Sequence, residues 1–163
     1  MAVRFAVTVL VLLCLCAPAF AEDYPRSDLF GGFSYMRDSE INFPGWQAAI
    51  AFNQTARWSY VGDFGGQYRD GVKNHEYMGG LRANFRMNKV TPFAHILVGG
   101  RTVSAFGESL KGFDISPGGG LDIKTGKRIS IRAVQVDYIS DRGQGIWSQS
   151  FRLGFGVVFS LGK

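Results

Sequence analysis

Apolar and polar residues alternate at every second position along most of this chain. In residues 46–53, for example, the phase of Trp46 is apolar and the phase of Gln47 is small or polar. Successive side chains of a β-strand point to opposite faces, so this period predicts strands with one apolar face. Eight such segments lie near residues 28–37, 45–53, 57–69, 75–87, 90–103, 112–124, 127–140 and 149–160. The chain is therefore predicted to be all-β, and its long segments suit tilted membrane-crossing strands better than ordinary globular strands.

The connections between these segments alternate in length. Residues 53–56, 87–89 and 124–127 are predicted to be tight turns, whereas residues 38–44, 70–74, 104–111 and 140–148 are predicted to be longer loops. In an up-and-down barrel, all the tight turns meet at one rim and all the longer loops at the other. The pattern predicts an eight-stranded antiparallel up-and-down barrel with periplasmic turns and external loops.

Side-chain volume indicates which phase faces outward. One phase carries 15 aromatic residues, and an eight-stranded barrel has too narrow an interior to hold them. The other phase is rich in glycine and contains three acids and three bases: Asp63, Asp122, Asp137, Arg82, Arg86 and Arg152. With the aromatic phase outside, the outward positions carry no charge, as hydrocarbon requires, and the inward charges can pair. We predict that Asp137 and Arg152 pair on the last two strands, and that removing Asp137 leaves the arginine unpaired.

Two segments depart from strict alternation. Pro117 lies within the sixth, so either a bulge occurs there or the strand begins one residue later. In the seventh, the apolar phase slips between Ile131 and Val134. A bulge near Arg132 or Ala133 would place both apolar sets on the outside.

The first 21 residues have the organisation of an export signal. Arg4 supplies the positive charge, residues 5–15 form the apolar stretch, and a small-x-small site ends at Ala21. The alternative, a membrane anchor, is disfavoured because the uncharged run is short and contains Pro18. Both cysteines lie in this segment. We predict cleavage before Glu22, a signal peptide over residues 1–21 and a barrel domain over residues 22–163.

Composition and charge exclude several classes. With 46% hydrophobic residues and only 19% charged residues, the chain can bury surface and is not expected to be disordered. The formal net charge is +5, but no basic run is longer than Lys127-Arg128, so nucleic acid is not a predicted partner. A soluble carrier of the lipocalin type would need the aromatic phase inside, and the number of aromatic residues argues against it.

Several segments together resemble the small outer-membrane β-barrel proteins of Gram-negative bacteria, of the OmpA/OmpX type. They are the signal peptide, residues 29–35 (LFGGFSY), 90–95 (VTPFAH) and 118–122 (GGGLD), and the closing alternating strand. The resemblance covers the whole chain after residue 21 and implies localisation in the cell outer membrane. It also implies that assembly machinery recognises an aromatic residue at the end of the last strand. Here Phe159 would take that role, although four residues follow it.

The sequence offers little catalytic chemistry. The two histidines, His75 and His95, are too few for the common zinc sites. A lipid hydrolase could combine His95 with Ser104 or Glu108, but His95 falls on the inward phase, away from lipid. The glycine run at 118–120 lacks the features of a phosphate loop and suits close packing inside the barrel. We therefore predict no catalytic, cofactor-binding or metal-binding residues and no cofactor.

These observations favour a non-enzymatic barrel with a structural, envelope-stabilising or surface-interaction role. The alternatives are a narrow ion channel and, less favoured, a membrane-embedded lipid hydrolase. Eight strands leave no wide lumen, which argues against a pore. The expected partners are outer-membrane lipids and, through the last strand, the assembly machinery, and the expected state is a monomer.

Overall fold

The computed structural model describes residues 24–38, 41–105, 108–143 and 146–162. The predicted signal peptide and its cleavage site lie outside these ranges. The described residues form eight strands: β1 (Ser27–Asp38), β2 (Ile41–Asn53), β3 (Trp58–Arg69), β4 (Val72–Asn84), β5 (Val90–Ala105), β6 (Glu108–Lys124), β7 (Ile129–Gly143) and β8 (Ile146–Leu161). Neighbours in sequence pair antiparallel, and β1 pairs with β8 from Ser27↔Leu161 to Asp38↔Ser150, so the sheet closes into a barrel. The predicted fold is confirmed.

Among these residues, no helix is both long enough and apolar enough to cross a membrane.

The aromatic phase faces outward and the glycine-rich phase inward, as predicted, but the prediction that the outward positions carry no charge is wrong, because Arg37 lies exposed on the outer face near the end of β1. Thirteen of the 15 aromatic residues of the outward phase are exposed, and Phe85 and Tyr138 are half-buried. The six predicted inward charges lie in the lumen, all of them buried except Arg86, which is half-buried. Two aromatic residues, Phe30 and Phe93, also face inward and are buried. Large apolar side chains therefore cover the outside of the barrel, and polar side chains fill most of the inside.

The predicted long loops are wrong. Only two residues separate β1 from β2, β3 from β4, β5 from β6 and β7 from β8, because the strands continue through most of the residues assigned to loops. Between β3 and β4 these residues are Asp70 and Gly71, with φ of +47° and +81°, the left-handed pair that a tight hairpin turn requires. The connections at residues 54–57, 85–89 and 125–128 meet at the other rim, together with the start of β1 and the end of β8. We call that end the turn rim and its counterpart the opposite rim.

The prediction of a bulge or a later strand start at Pro117 is wrong, whereas the prediction of a bulge in β7 is confirmed. Strand β6 runs through Pro117 without a bulge or a break; its ladder to β5 is continuous, and its ladder to β7 is interrupted between Ile115↔Ser140 and Gly118↔Asp137 with the register unchanged. The proline, which has no N–H, lies at that interruption. The predicted bulge near Ala133 is confirmed, because the register shifts there against both β6 and β8.

Candidate functional site

A buried cluster of four charged residues lies at the centre of the lumen. Arg152 on β8 is fully buried, and its Nη2 lies 2.7 Å from Asp137 on β7 and 3.0 Å from Asp63 on β3. Its Nη1 donates a hydrogen bond of 2.8 Å to Glu76 on β4. In a closed ring of eight strands, β4 stands opposite β8, so this contact crosses the lumen. We call these four residues the central cluster.

The central cluster confirms the predicted Asp137–Arg152 pair but corrects its expected chemistry. Removing Asp137 would not leave the arginine unpaired, because Asp63 and Glu76 also contact it. The Arg152 guanidinium instead contacts three carboxylates. Neutral donors support two of these, since Gln47 donates to Asp63 at 2.7 Å and Gln135 donates to Asp137 at 2.8 Å.

The predicted interior histidine adjoins this cluster. His95 is buried, and its Nε2 lies 2.8 Å from Oδ1 of Asp137. Gly118 makes room for the contact, because a Cβ there would collide with the Asp137 carboxylate and lie 2.6 Å from His95 Nε2. The close-packing interpretation of the glycine run at 118–120 is confirmed at Gly118.

A second cluster continues the network toward the opposite rim. Glu76 uses its other oxygen to contact Arg101 on β5 at 3.1 Å. Arg101 in turn lies 3.4 Å from Asp114 and donates to Ser150 at 3.2 Å. Asp38 and Asp141 lie farther out, at 3.9 and 3.8 Å from the same guanidinium. Arg101 therefore lies among four carboxylates of four different strands.

A third cluster continues the network toward the turn rim. Arg132 holds Asp122 with two hydrogen bonds of 2.8 and 3.1 Å and donates a third to Gln135 at 2.7 Å. Its guanidinium also lies over the rings of Phe30 and Phe93, 4.2 and 4.5 Å from their centroids. Because Gln135 bonds to Asp137, polar contacts run unbroken from Asp122 through the central cluster to Asp114.

A cavity of about 600 Å³ lies at the turn rim. Its basic wall residues are Arg82, Arg86, Lys124, Lys127 and Arg128, and its acidic ones are Asp28 and Asp122. No member of the central cluster lines it. The cavity is thus the water-accessible end of a lumen whose middle is filled by buried side chains.

The residues considered for hydrolysis are not brought together. His95 lies in the lumen, whereas Ser104 is nine residues further along the same strand, a separation of roughly 30 Å at the rise of a β-strand. The Ser104 hydroxyl instead contacts that of Ser109, at 2.9 Å. Within the described part of the chain, no group of three or more His, Cys, Asp or Glu side chains is placed to hold a metal ion.

Among the described residues, five buried charged side chains were missing from the sequence interpretation: Asp28, Glu76, Arg101, Asp114 and Arg132. For four of them, the position in the strand predicts that the side chain faces inward, because every second residue of a strand lies on the same face. Glu76 is an even number of residues from the inward Arg82 on β4, and Arg101 is an even number of residues from the inward His95 on β5. The alternation gives the wrong face for Arg132 unless the bulge is recognised first. The extra residue of the bulge shifts the alternation by one, so even-numbered residues face inward before it and outward after it.

Comparison with solved structures shows that this is the fold of eight-stranded outer-membrane barrels. The N-terminal β-barrel domain of OprF from Pseudomonas aeruginosa matches with a TM-score of 0.60 and 14% identity, over 83% of this chain and 98% of that one. Neisserial surface protein A matches with a TM-score of 0.52 and 12% identity, over 83% of this chain and 96% of that one. No family model matches the chain, and no characterised protein matches its sequence. The resemblance to small outer-membrane barrels is confirmed at the level of fold.

Proposed function

We propose that this protein is a non-enzymatic barrel of the cell outer membrane with a structural, envelope-stabilising role. The observation that carries the proposal is the combination, in one closed sheet, of an apolar outer face and a fully buried ionic network inside. An exposed apolar surface of this size would promote aggregation in water, whereas hydrocarbon accommodates it. Closure also suits lipid, because an open sheet edge would leave backbone groups unpaired.

The distribution of outward charges supports a membrane belt. On the outer face, the charged residues Arg37, Lys73, Lys111 and Arg142 are exposed and lie near the strand ends at the opposite rim. The strand centres between the rims present apolar or small residues outward. Long basic side chains at the edges of such a belt can reach the headgroups while their stems cover apolar surface.

Exposed aromatic residues support the same belt. Trp46 donates to the Tyr68 hydroxyl at 3.3 Å, and that hydroxyl lies 3.2 Å from His75 Nε2. This polar-tipped group faces outward on three adjacent strands, as expected of an aromatic girdle at headgroup depth. Trp58 is exposed at the start of β3, near the turn rim, where a second girdle would lie.

A narrow channel is the second candidate, because polar residues line the lumen and a cavity of about 600 Å³ occupies one end. The central cluster favours the structural role. Arg152, Asp137, Gln67 and Gln135 each have 0% exposure, so at this level the lumen has no space for water beside them. Conduction would require those paired charges to separate, at the cost of leaving ions unpaired.

The short connections at the opposite rim argue against a surface-interaction role. Two-residue connections offer little area for a receptor surface, and this favours the envelope-stabilising role over a loop-mediated one. The pairing of β1 with β8 leaves no free sheet edge, which is consistent with a monomer. Phe159 lies exposed on the last strand, where the assembly machinery could recognise it.

Three measurements on one preparation test the proposal. Membrane fractionation should place the protein in the outer membrane, and the unheated protein should migrate differently from the boiled one on a gel because the barrel stays closed. Planar-bilayer conductance of the purified protein should stay at background. Steady ion conductance by the wild type would favour the channel instead, and recovery from the soluble periplasm would contradict the membrane role.

Export has its own test. If residues 1–21 form a cleaved signal, N-terminal sequencing of the mature protein should begin at Glu22. A mature protein that still begins at Met1 would contradict the predicted signal peptide.

A further inference from the structure

The cavity at the turn rim has more basic than acidic wall residues. Five of its wall residues are basic and two are acidic. The two acids already have close partners, because Asp122 is held by two bonds from Arg132. Asp28 accepts hydrogen bonds from Ser160 at 2.6 Å and from Asn53 at 2.9 Å. The cavity therefore contains positive charge that its own carboxylates do not balance.

Two arginines in the wall depend on the same carboxylate. Arg82 lies 3.5 Å and Arg86 3.6 Å from the same oxygen of Asp28, both longer than a good charge-assisted hydrogen bond. The side chain of Arg82 is 5% exposed and that of Arg86 is 11% exposed. Two partly or fully buried guanidiniums thus share one carboxylate that neutral donors already occupy.

One donor nitrogen of each arginine forms no hydrogen bond within the described part of the chain. The Nε atom of Arg82 and the Nη2 atom of Arg86 are buried and form no hydrogen bond in the described residues. A buried charged donor without an acceptor costs free energy. Neither donor has a hydrogen-bond acceptor among the described residues, and both side chains belong to the cavity wall.

We propose that this cavity is a binding site for a polyvalent phosphate-type anion. A guanidinium matches phosphate oxygens with paired N–H donors, and the two arginines would provide the inner contacts. Lys124, Lys127 and Arg128 at the mouth would neutralise the remaining charge. A phosphate group carries about −1.5 to −2 at neutral pH, which balances the excess better than a single carboxylate. The volume is within the range of about 300–1,000 Å³ that ligand pockets occupy.

Calorimetric titration with sodium pyrophosphate tests the site. The folded wild-type barrel in an uncharged maltoside detergent and chloride buffer should bind one pyrophosphate. Arg86→Gln should weaken binding by about tenfold or more, because it removes a charged donor at the site. Lys127→Gln at the mouth should weaken it by a smaller factor, and it serves as the second variant if Arg86→Gln fails to fold.

Lys111→Gln is the matched control, because it makes the same charge change at the opposite rim. It should bind pyrophosphate like the wild type. Absence of saturable binding by the wild type would overturn the proposal. An equal loss of affinity in the Lys111→Gln and Lys127→Gln variants would also overturn it, since it would indicate nonspecific attraction to net charge.

The phosphate could come from a soluble compound or from a lipid headgroup. Adding dihexanoyl phosphatidylglycerol, with the zwitterionic phosphatidylcholine as its control, distinguishes the two. Competition with pyrophosphate by the phosphatidylglycerol alone would assign the site to anionic headgroups. Pyrophosphate binding that neither lipid disturbs would assign it to soluble phosphates, as the position of Arg82 inside the lumen favours.

Discussion

Replacing Arg152 by glutamine tests the central cluster, because this one side chain is shared by three acids. Its Nη atoms lie 2.7 Å from Asp137, 2.8 Å from Glu76 and 3.0 Å from Asp63. Removing Asp137 instead, as Asp137→Asn, leaves the arginine with two carboxylates. The two substitutions should therefore have unequal effects, with Arg152→Gln the more damaging.

The magnitude follows from the burial of the cluster. Two unit charges 4 Å apart attract by about 4 kcal/mol at an effective dielectric constant near 20, and desolvation offsets much of this. Removing one partner of a buried ion pair costs about 3–5 kcal/mol, because it leaves the other charge unpaired. Arg152→Gln leaves three carboxylates together, so we expect a loss of about 5 kcal/mol in the free energy of unfolding. Asp137→Asn weakens contacts of a still paired arginine, and about 1.5–3 kcal/mol is expected.

Urea unfolding in phospholipid vesicles measures these losses, with the folded fraction read from gel mobility without heating. Arg37→Gln is the matched control, because it removes an exposed arginine on the outer face, and it should change the free energy of unfolding by no more than about 0.5 kcal/mol. The interpretation of the cluster would be refuted if the free energy of unfolding of Arg152→Gln lay within about 1 kcal/mol of the wild-type value. It would also be refuted if Asp137→Asn were the more damaging substitution.

Three further predictions concern the strands of the barrel. Phe155→Arg, at the centre of the outer face of β8, should make the free energy of folding into vesicles less favourable by about 2–4 kcal/mol, whereas Gln149→Arg near the rim should cost at most about 1 kcal/mol. Equal losses would contradict an apolar belt at the strand centres. Gly118→Val should lower the temperature at which the folded gel band is lost, because the added side chain would collide with Asp137 and His95, whereas Gly31→Ala, with open space around it, should not. An unchanged temperature for Gly118→Val would contradict close packing at Gly118. Deleting Ala133 should preserve the folded band because it removes only the bulge, whereas deleting one residue from the middle of β5 should abolish it; the reverse result would contradict the register.

The sequence predicts the barrel well wherever a strand has one apolar face. Alternation is a local property, so it identifies the eight strands and, from the phase slip alone, the bulge near Ala133. It fails where a strand continues beyond the apolar belt. Ser104, Ser109 and Lys111 lie in β5 and β6, yet a strand that leaves the belt can carry polar side chains on both faces. Such residues then resemble a loop, and the predicted loops were too long for this reason.

The interior contacts are less accessible to sequence reasoning. The pair between Asp137 and Arg152 is predictable because the two residues face each other on adjacent strands. The contact of Arg152 with Glu76 joins strands on opposite sides of the barrel. It depends on the tilt and stagger of the strands, and no local pattern encodes these. The strand parity identifies both residues as inward, but not as partners.

The ionic interior also helps to explain how the chain selects one face of the sheet for the lumen. In lipid, an apolar side chain gains little by leaving the hydrocarbon, so apolar residues alone would not decide which phase turns inward. Charged residues decide it, because a charge on the lipid face is costly and a paired charge in the lumen is tolerated. Asp28, Glu76 and Arg152 lie on β1, β4 and β8 and all belong to the inward phase. Turning any of these strands over would place its charge on the outer face, which we propose is covered by lipid, and would remove it from its partners. The same network that fills the lumen therefore also specifies the orientation of the strands that enclose it.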